Sequence, residues 1–255
     1  MAAESSEVLR GIVLRETETK EADKILTLLT AERGRLSVIA RGVRRQTCRY
    51  AAAAQTLAWG EWTLYHRGGW CYARDAAALE LFEGLRTDLE GLALGCYFAE
   101  LTEAVTAEGE PAPELLRHLL NGLYALNTLK KSPALTKAAF EWKLLSLAGY
   151  EPLADRCCIC GREDMDSARL DAVQGVLRCA GCGGDGGLPL SGGALSALRH
   201  ILYGEPRRLY AFTLKDGALR ELARAAEASV MVQLERNFRT LDYYKRLAAM
   251  EKPSN

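Results

Sequence analysis

The sequence predicts an α+β multidomain protein: a small N-terminal antiparallel β-barrel, then an α-helical domain carrying an inserted four-cysteine zinc ribbon. Three observations carry this. Up to about residue 80, short apolar runs are punctuated by glycine-bearing turn signals, as strands and hairpins require. From Thr87 the apolar period becomes helical. Between residues 152 and 188 glycine and cysteine interrupt that period, and two Cys-x-x-Cys pairs stand there. The expected domains are therefore 1–80 and 81–255, with the metal module at 152–188.

The strands follow in order. Val8–Glu16 carries the apolar run Gly11-Ile12-Val13-Leu14. Lys24–Thr30 and Arg35–Ala40 flank Ala31-Glu32-Arg33-Gly34, a short connection with glycine at its end, which reads as a hairpin. Leu57–His66 and Trp70–Ala76 flank Arg67-Gly68-Gly69, a second hairpin signal. Five strands within about 80 residues leave no room for crossover helices, so a small antiparallel barrel is expected; an SH3-like barrel fits the pattern almost as well.

The helices begin at Thr87-x-x-Glu90, a capping box, with an end expected near Gly109 ahead of Pro111 and Pro113. Glu114–Leu129 follows. Ser132-Pro133 supplies an N-cap and an N1 proline for a helix ending near Gly149. After the cysteine-rich stretch helices resume at Ser191, and Gly217–Ala249 reads as one long or two broken helices.

Composition bounds the class. With 49% apolar and 26% charged residues, the 255-residue chain has the make-up of a globular protein with a sizeable core. No run approaches the roughly 18 uninterrupted apolar residues of a membrane span. Met1–Arg10 lacks the basic start and apolar core of a secretory signal, so a cytoplasmic location is expected. Net charge is zero, yet the charges are segregated. Six arginines lie between Arg33 and Arg49 with no acid before Glu61, and seven acids lie between Asp88 and Glu114 with no Lys or Arg. A neutral total can hide a basic face.

Of eight cysteines, four form Cys157-x-x-Cys160 and Cys179-x-x-Cys182, two knuckles separated by 18 residues. That spacing lets four thiolates close around one ion, and four soft sulfurs in a tetrahedron suit a structural Zn2+, one per chain. A glycine follows each second cysteine, Gly161 and Gly183, where the chain turns tightly and backbone amides can donate to sulfur. Catalytic zinc keeps an open position that four thiolates would fill. A redox Cys-x-x-Cys would call for a βαβ unit, which the pattern lacks. Cys158, adjacent to the first knuckle, is left as a spare thiol.

Arg41-Gly42-Val43-Arg44-Arg45 and Arg49-Tyr50 follow the third strand, and Arg35 lies within it. Guanidinium forks grip phosphates bidentately and a nearby ring can stack on an unpaired base, so Arg35, Arg41, Arg44, Arg45, Arg49 and Tyr50 are the candidate nucleic-acid contacts. Trp59, Trp62, Trp70 and Tyr72 are expected in the barrel core rather than as stacking groups. No P-loop is present, and Gly183-Gly184-Asp185-Gly186-Gly187 reads as a turn. His66, His118 and His200 stand far apart, without a paired carboxylate. No catalytic constellation emerges, and the chain is expected not to be an enzyme.

The order of these features resembles one family. Lys24–Thr30, Gly34 and Ala40-Arg41-Gly42-Val43-Arg44-Arg45 resemble the N-terminal OB-fold of RecO proteins. Leu147-Ala148-Gly149-Tyr150-Glu151-Pro152 leading into the two knuckles resembles that family's zinc-binding branch, and Gln233–Arg236 with Arg239–Leu241 its last helix. The resemblance implies a nucleoid-associated mediator of DNA repair and homologous recombination. It would bind single- and double-stranded DNA, anneal complementary strands, work with RecR and often RecF to load RecA, and contact the C-terminal tail of the single-stranded-DNA-binding protein. Arg236 and Arg239, three apart on an expected helix face, are the candidates for that acidic tail. One departure stands out: the family's linker continues basic, whereas here Gln46-Thr47-Cys48 precede Arg49. Two other classes compete: a zinc-ribbon RNA-binding or transcription factor, and an adaptor whose arginines hold an acidic protein.

Overall fold

A computed structural model describes residues 6–19, 22–183 and 186–250. Five strands close a barrel: β1 (Ser6–Thr19), β2 (Asp23–Thr30), β3 (Gly34–Ala40), β4 (Trp59–Arg67) and β5 (Trp70–Glu80), in the order β1-β2-β3-β5-β4. Long β1 bends at an irregularity between Val13 and Arg15 and pairs antiparallel with both β2 and β4, which brings the ends of the sheet together. The expectation of a wholly antiparallel barrel needs one correction: β3 and β5 run parallel, at Val38↔Cys71 and Ile39↔Tyr72. The swapped order of β4 and β5 is the Greek-key closure of an OB-fold, which separates it from the competing barrel reading.

Alternation along the strands fills the interior. Val13, Leu26, Leu28, Leu36, Val38, Trp62 and Leu64 point inward and form its core, and the Trp62 indole donates to the Gly11 carbonyl at 3.3 Å. Ile12 and Leu29 point the other way and are still fully buried. Helix α2 (Leu89–Val105) packs on β1 and α3 (Pro113–Asn127) on β2, after a one-turn α1 (Glu83–Arg86) that the sequence did not suggest. The N-cap of α2 is Asp88, whose carboxylate accepts from Gly91 N, not Thr87, and the helix stops at Val105, short of Gly109.

The chain divides into two compact units that do not part at residue 80. One joins the barrel and α1–α3 to the C-terminal segment from Phe238, including α7 (Arg239–Met250). There Phe238 is fully buried edge-on to Tyr97, 5.8 Å between ring centres, and Glu100 accepts from Thr240 N at 3.2 Å. The other unit spans residues 129–237. It holds α4 (Pro133–Leu147), a sheet of β6 (Leu153–Cys157), β7 (Ser167–Asp171), β8 (Val176–Cys179) and β9 (Leu188–Ser191) in the order β6-β8-β7-β9, then α5 (Gly192–Tyr203) and α6 (Asp216–Gln233). Trp142 of α4 is buried and donates to the Leu222 carbonyl of α6 at 3.4 Å. Beside it, buried Lys137 bridges Glu141 at 2.7 Å and Glu227 at 3.1 Å.

Gly217–Ala249 therefore resolves into two helices, α6 and α7, broken after Gln233. Glu235 there takes a left-handed φ of 49°, with neither glycine nor proline to announce it. Arg236 lies in the link and Arg239 opens α7, so the shared helix face expected of them is not formed. Of the expected glycine turn at 183–187, Gly184 and Asp185 lie outside the described residues, as do residues 1–5 of the N-terminal stretch.

Candidate metal centre and nucleic-acid interface

The four cysteines meet because two strands end side by side. Strands β6 and β8 run parallel, Cys157 closes β6, Cys179 closes β8, and each strand turns at once into a short loop bearing Cys160 or Cys182. The loops are closed by Gly161 N donating to the Cys157 carbonyl and Cys182 N to the Cys179 carbonyl, both at 2.9 Å. Gly161 turns at φ +73°, as expected of a glycine after a knuckle. Gly183 does not adopt such a φ; it is small for a different reason, since a Cβ there would lie 3.2 Å from the Cys179 carbonyl.

All four sulfurs lie within 4.8 Å of one another, and Cys160 Sγ and Cys179 Sγ are 3.7 Å apart. Sulfurs held about 2.3 Å from a common tetrahedral ion stand about 3.8 Å apart, so the set fits a single metal ion. Crowding the four thiols moves two of them in opposite directions. Backbone amides of Cys160, Cys179 and Ile159 draw the Cys157 thiol down to about 6, and the Cys179 amide donates to Cys157 Sγ at 3.3 Å. Cys182 is pushed up to about 12, chiefly because its thiol donates to the Cys160 and Cys179 sulfurs. Cys157 and Cys179 are buried, Cys182 is half-buried and Cys160 exposed. Cys158 points outward with its amide tied to the Leu177 carbonyl at 2.8 Å, and it is not part of the cluster.

The arginine segment is an ordered loop. Gly42 N donates to Asp23 Oδ1 at 2.7 Å, Arg44 N to the Ala22 carbonyl at 3.0 Å, and Val43 is tucked into the barrel core. Pinning Val43 inward leaves Arg41, Arg44, Arg45 and Arg49 exposed on the barrel surface. Arg44 pairs with Glu18 at 3.1 Å, an exposed contact that a phosphate can replace at little cost.

Two of the expected contacts fall elsewhere. Arg35 is at the far end of β3, about 20 Å of strand from Arg41, and its guanidinium donates to the Glu103 carbonyl in α2. Tyr50 leans on the barrel core and its hydroxyl donates to the Arg41 carbonyl at 3.3 Å; burial pushes the phenol up to about 12. It props the loop. Trp62 is core, as expected, whereas Trp70 is 56% exposed. His66 does have a carboxylate partner, Glu7 at 3.0 Å, which the sequence separation of 59 residues concealed. That carboxylate also holds Arg33, and the three side chains form a surface cluster.

No helix among the described residues is long and apolar enough to cross a membrane. Residues 5–81 match the family model of the recombination protein O N terminus, and residues 86–242 that of its C terminus. A DNA repair protein RecO of Acetivibrio thermocellus is 32% identical over 239 residues, covering 93% of this chain and 95% of that protein. Its counterpart in Symbiobacterium thermophilum is 34% identical over 244 residues, covering 93% and 96%, and that of Desulforudis audaxviator 34% over 239, covering 93% and 95%.

Proposed function

The chain belongs to the RecO family of DNA repair proteins, and from that premise we propose that it is a recombination mediator acting by binding rather than by catalysis. In this reading the barrel domain, residues 1–80, grips the backbone of single- and double-stranded DNA through Arg41, Arg44, Arg45 and Arg49. The protein anneals complementary strands coated by the single-stranded-DNA-binding protein and helps RecR and RecF load RecA, in the cytoplasm at the nucleoid. The observation that carries the reading is the buried Val43, which fixes the loop and turns its four exposed arginines outward. Arginine contacts of this kind are indifferent to base sequence, as annealing of arbitrary strands requires.

Cys157, Cys160, Cys179 and Cys182 would hold one Zn2+. Bound there, the ion ties two loops together; with four thiolates the shell is closed, which makes its role structural. Recruitment would run through the acidic tail of the coating protein, with Arg236 and Arg239 as separate contacts.

The test is annealing of complementary strands without ATP, with coating protein that is full-length or lacks its tail. The reading expects acceleration on the full-length coat and less on the tail-less one. Equal rates would remove the tail contact, and no acceleration on either coat would overturn the mediator reading.

A further inference from the structure

The β4–β5 hairpin carries a pattern the arginine loop does not explain. Along it Leu64, Cys71 and Ala73 turn into the barrel core. The intervening residues Tyr65 and Arg67 on β4, and Trp70 and Tyr72 on β5, share the opposite, outer face, and Arg74, the extra residue of an irregularity between Ala73 and Asp75, lays its guanidinium on the same face. Tyr65 stands across from Tyr72, and Arg67 from Trp70. The tyrosine rings stack at 5.2 Å and 19°. The Arg41 guanidinium lies 4.6 Å over Tyr72, and that of Arg74 5.1 Å over Tyr65. The result is a column of guanidinium, ring, ring and guanidinium that begins in the arginine loop and continues onto the hairpin. At the tip, Gly68 and Gly69 take φ +58° and +79°, the two left-handed positions of a tight two-residue turn. This turn sets Arg67 beside Trp70, whose indole is 56% exposed. Acids bound the face farther down, at Asp75 and at Glu61, which Arg10 holds.

We propose that this outer face is a stacking platform for the unpaired bases of single-stranded DNA, with Trp70 as the open ring and Arg67 and Arg74 as flanking phosphate contacts. The proposal rests on the reading of the barrel as the DNA-binding part. Along β5 the rings of Trp70 and Tyr72 follow one another at the two-residue strand step of about 6.8 Å, and guanidiniums stand on either side of them, an arrangement that successive bases and their phosphates can follow. Every base has a π-face, so such a platform is indifferent to sequence, and cation–π contacts from Arg41 and Arg74 hold the tyrosine pair in place beneath it. In a duplex those base faces are already covered by their neighbours. The platform therefore favours single strands, while the arginine loop serves both forms.

The test uses the full chain and two probes, single-stranded oligothymidylate and a blunt duplex. Oligothymidylate should quench tryptophan emission saturably, and Trp70→Phe should abolish the quenching while keeping most of the affinity. Trp70→Ala should weaken single-strand binding about tenfold and leave duplex binding within twofold. Trp70 is exposed, so thermal unfolding should be unchanged, which separates impaired stacking from impaired folding. Wild-type single-strand affinity in Trp70→Ala, or an equal loss on both probes, overturns the platform. So does quenching of Trp70 by an Asp/Glu-rich peptide and not by oligothymidylate, which would assign the face to a protein partner. An Arg44→Gln/Arg45→Gln variant distinguishes the two levels. If it loses affinity for both probes while Trp70→Ala loses none, only the platform fails. If it binds both probes as the wild type does, the barrel reading itself fails.

Discussion

The barrel and the unit of residues 129–237 each contain a β-sheet, but they are held in different ways. In the barrel the stabilising contacts are dispersed: all five strands send side chains into one interior, and Leu28, Trp62 and Leu64 each touch several others there. In the second unit they are concentrated. Four sulfurs cluster at one corner of a sheet with strands of four and five residues, where the proposed zinc would tie it, and three helical charges meet at Lys137. Dispersed contacts fail gradually, one methylene at a time, whereas concentrated ones fail at once when any member is removed.

The largest effect is expected at the cysteines. If the cluster holds zinc as proposed, elemental analysis should find close to one zinc per chain in the wild type and none in Cys179→Ser, and the variant should expose residues 153–191 to limited proteolysis. Structural zinc sites contribute on the order of 10 kcal/mol of binding free energy, so the local loss should be several kcal/mol. An unchanged cleavage pattern in the metal-free variant would mean that the short sheet stands without its tie.

Lys137→Met comes next. It strands Glu141, fully buried, beside Glu227, and should cost about 3–5 kcal/mol by chemical denaturation. Lys137→Met/Glu141→Leu should recover much of that, since two apolar groups replace an ion pair without an orphaned charge. The pH dependence has a definite sign. Burial alone pushes the Lys137 ammonium down, but the charges and hydrogen bonds of Glu141 and Glu227 more than offset it, and its pKa is raised above 10.5. A cation favoured by the fold contributes stability that is fully present below 10.5 and is lost as pH climbs through the raised value. Stability that is flat above pH 10.5 in the wild type would break this account.

Leu28→Ala sharpens the other side of the comparison. It should cost about 2–5 kcal/mol from reduced burial and a residual cavity, with bound zinc unchanged. The smallest stability effect belongs to Arg44→Gln/Arg45→Gln, within about 1 kcal/mol for exposed charges. Its consequence should instead be a shallower salt dependence of single-strand binding, by about 0.7 in log–log slope for each phosphate that is no longer neutralised.

The same contrast governs what could be read in the sequence. The cysteine site was legible because its ligands recur at fixed local spacing, and Cys158 falls outside the cluster for the same reason. The barrel strands were legible from period and turn residues, with β5 running to Glu80 beyond the expected Ala76. What escaped depends on distant partners. The parallel pairing of β3 with β5 has no local signal. The break at Glu235 occurs without glycine or proline, so Arg236 and Arg239 read as one helix face. Arg35 belongs to the basic segment by sequence and to α2 by its hydrogen bond. The alternation of Tyr65, Arg67, Trp70, Tyr72 and Arg74 was present in the letters, but which face is outward depends on where Trp62 and Leu64 find their core.

The buried Phe238 has a consequence for how the protein is made. Its partner Tyr97 and the Glu100 carboxylate that meets Thr240 leave the ribosome well before α7; the Glu100–Thr240 hydrogen bond spans 140 residues. At roughly 5–20 residues per second of translation, the Tyr97 side of α2 waits on the order of ten seconds on the nascent chain for the segment that covers it. The N-terminal unit, although begun first, is thus completed only after the whole of residues 129–237 has been made. A message truncated before codon 238 would yield a barrel with an uncovered aromatic face, a ready substrate for chaperones and proteases rather than a smaller working protein.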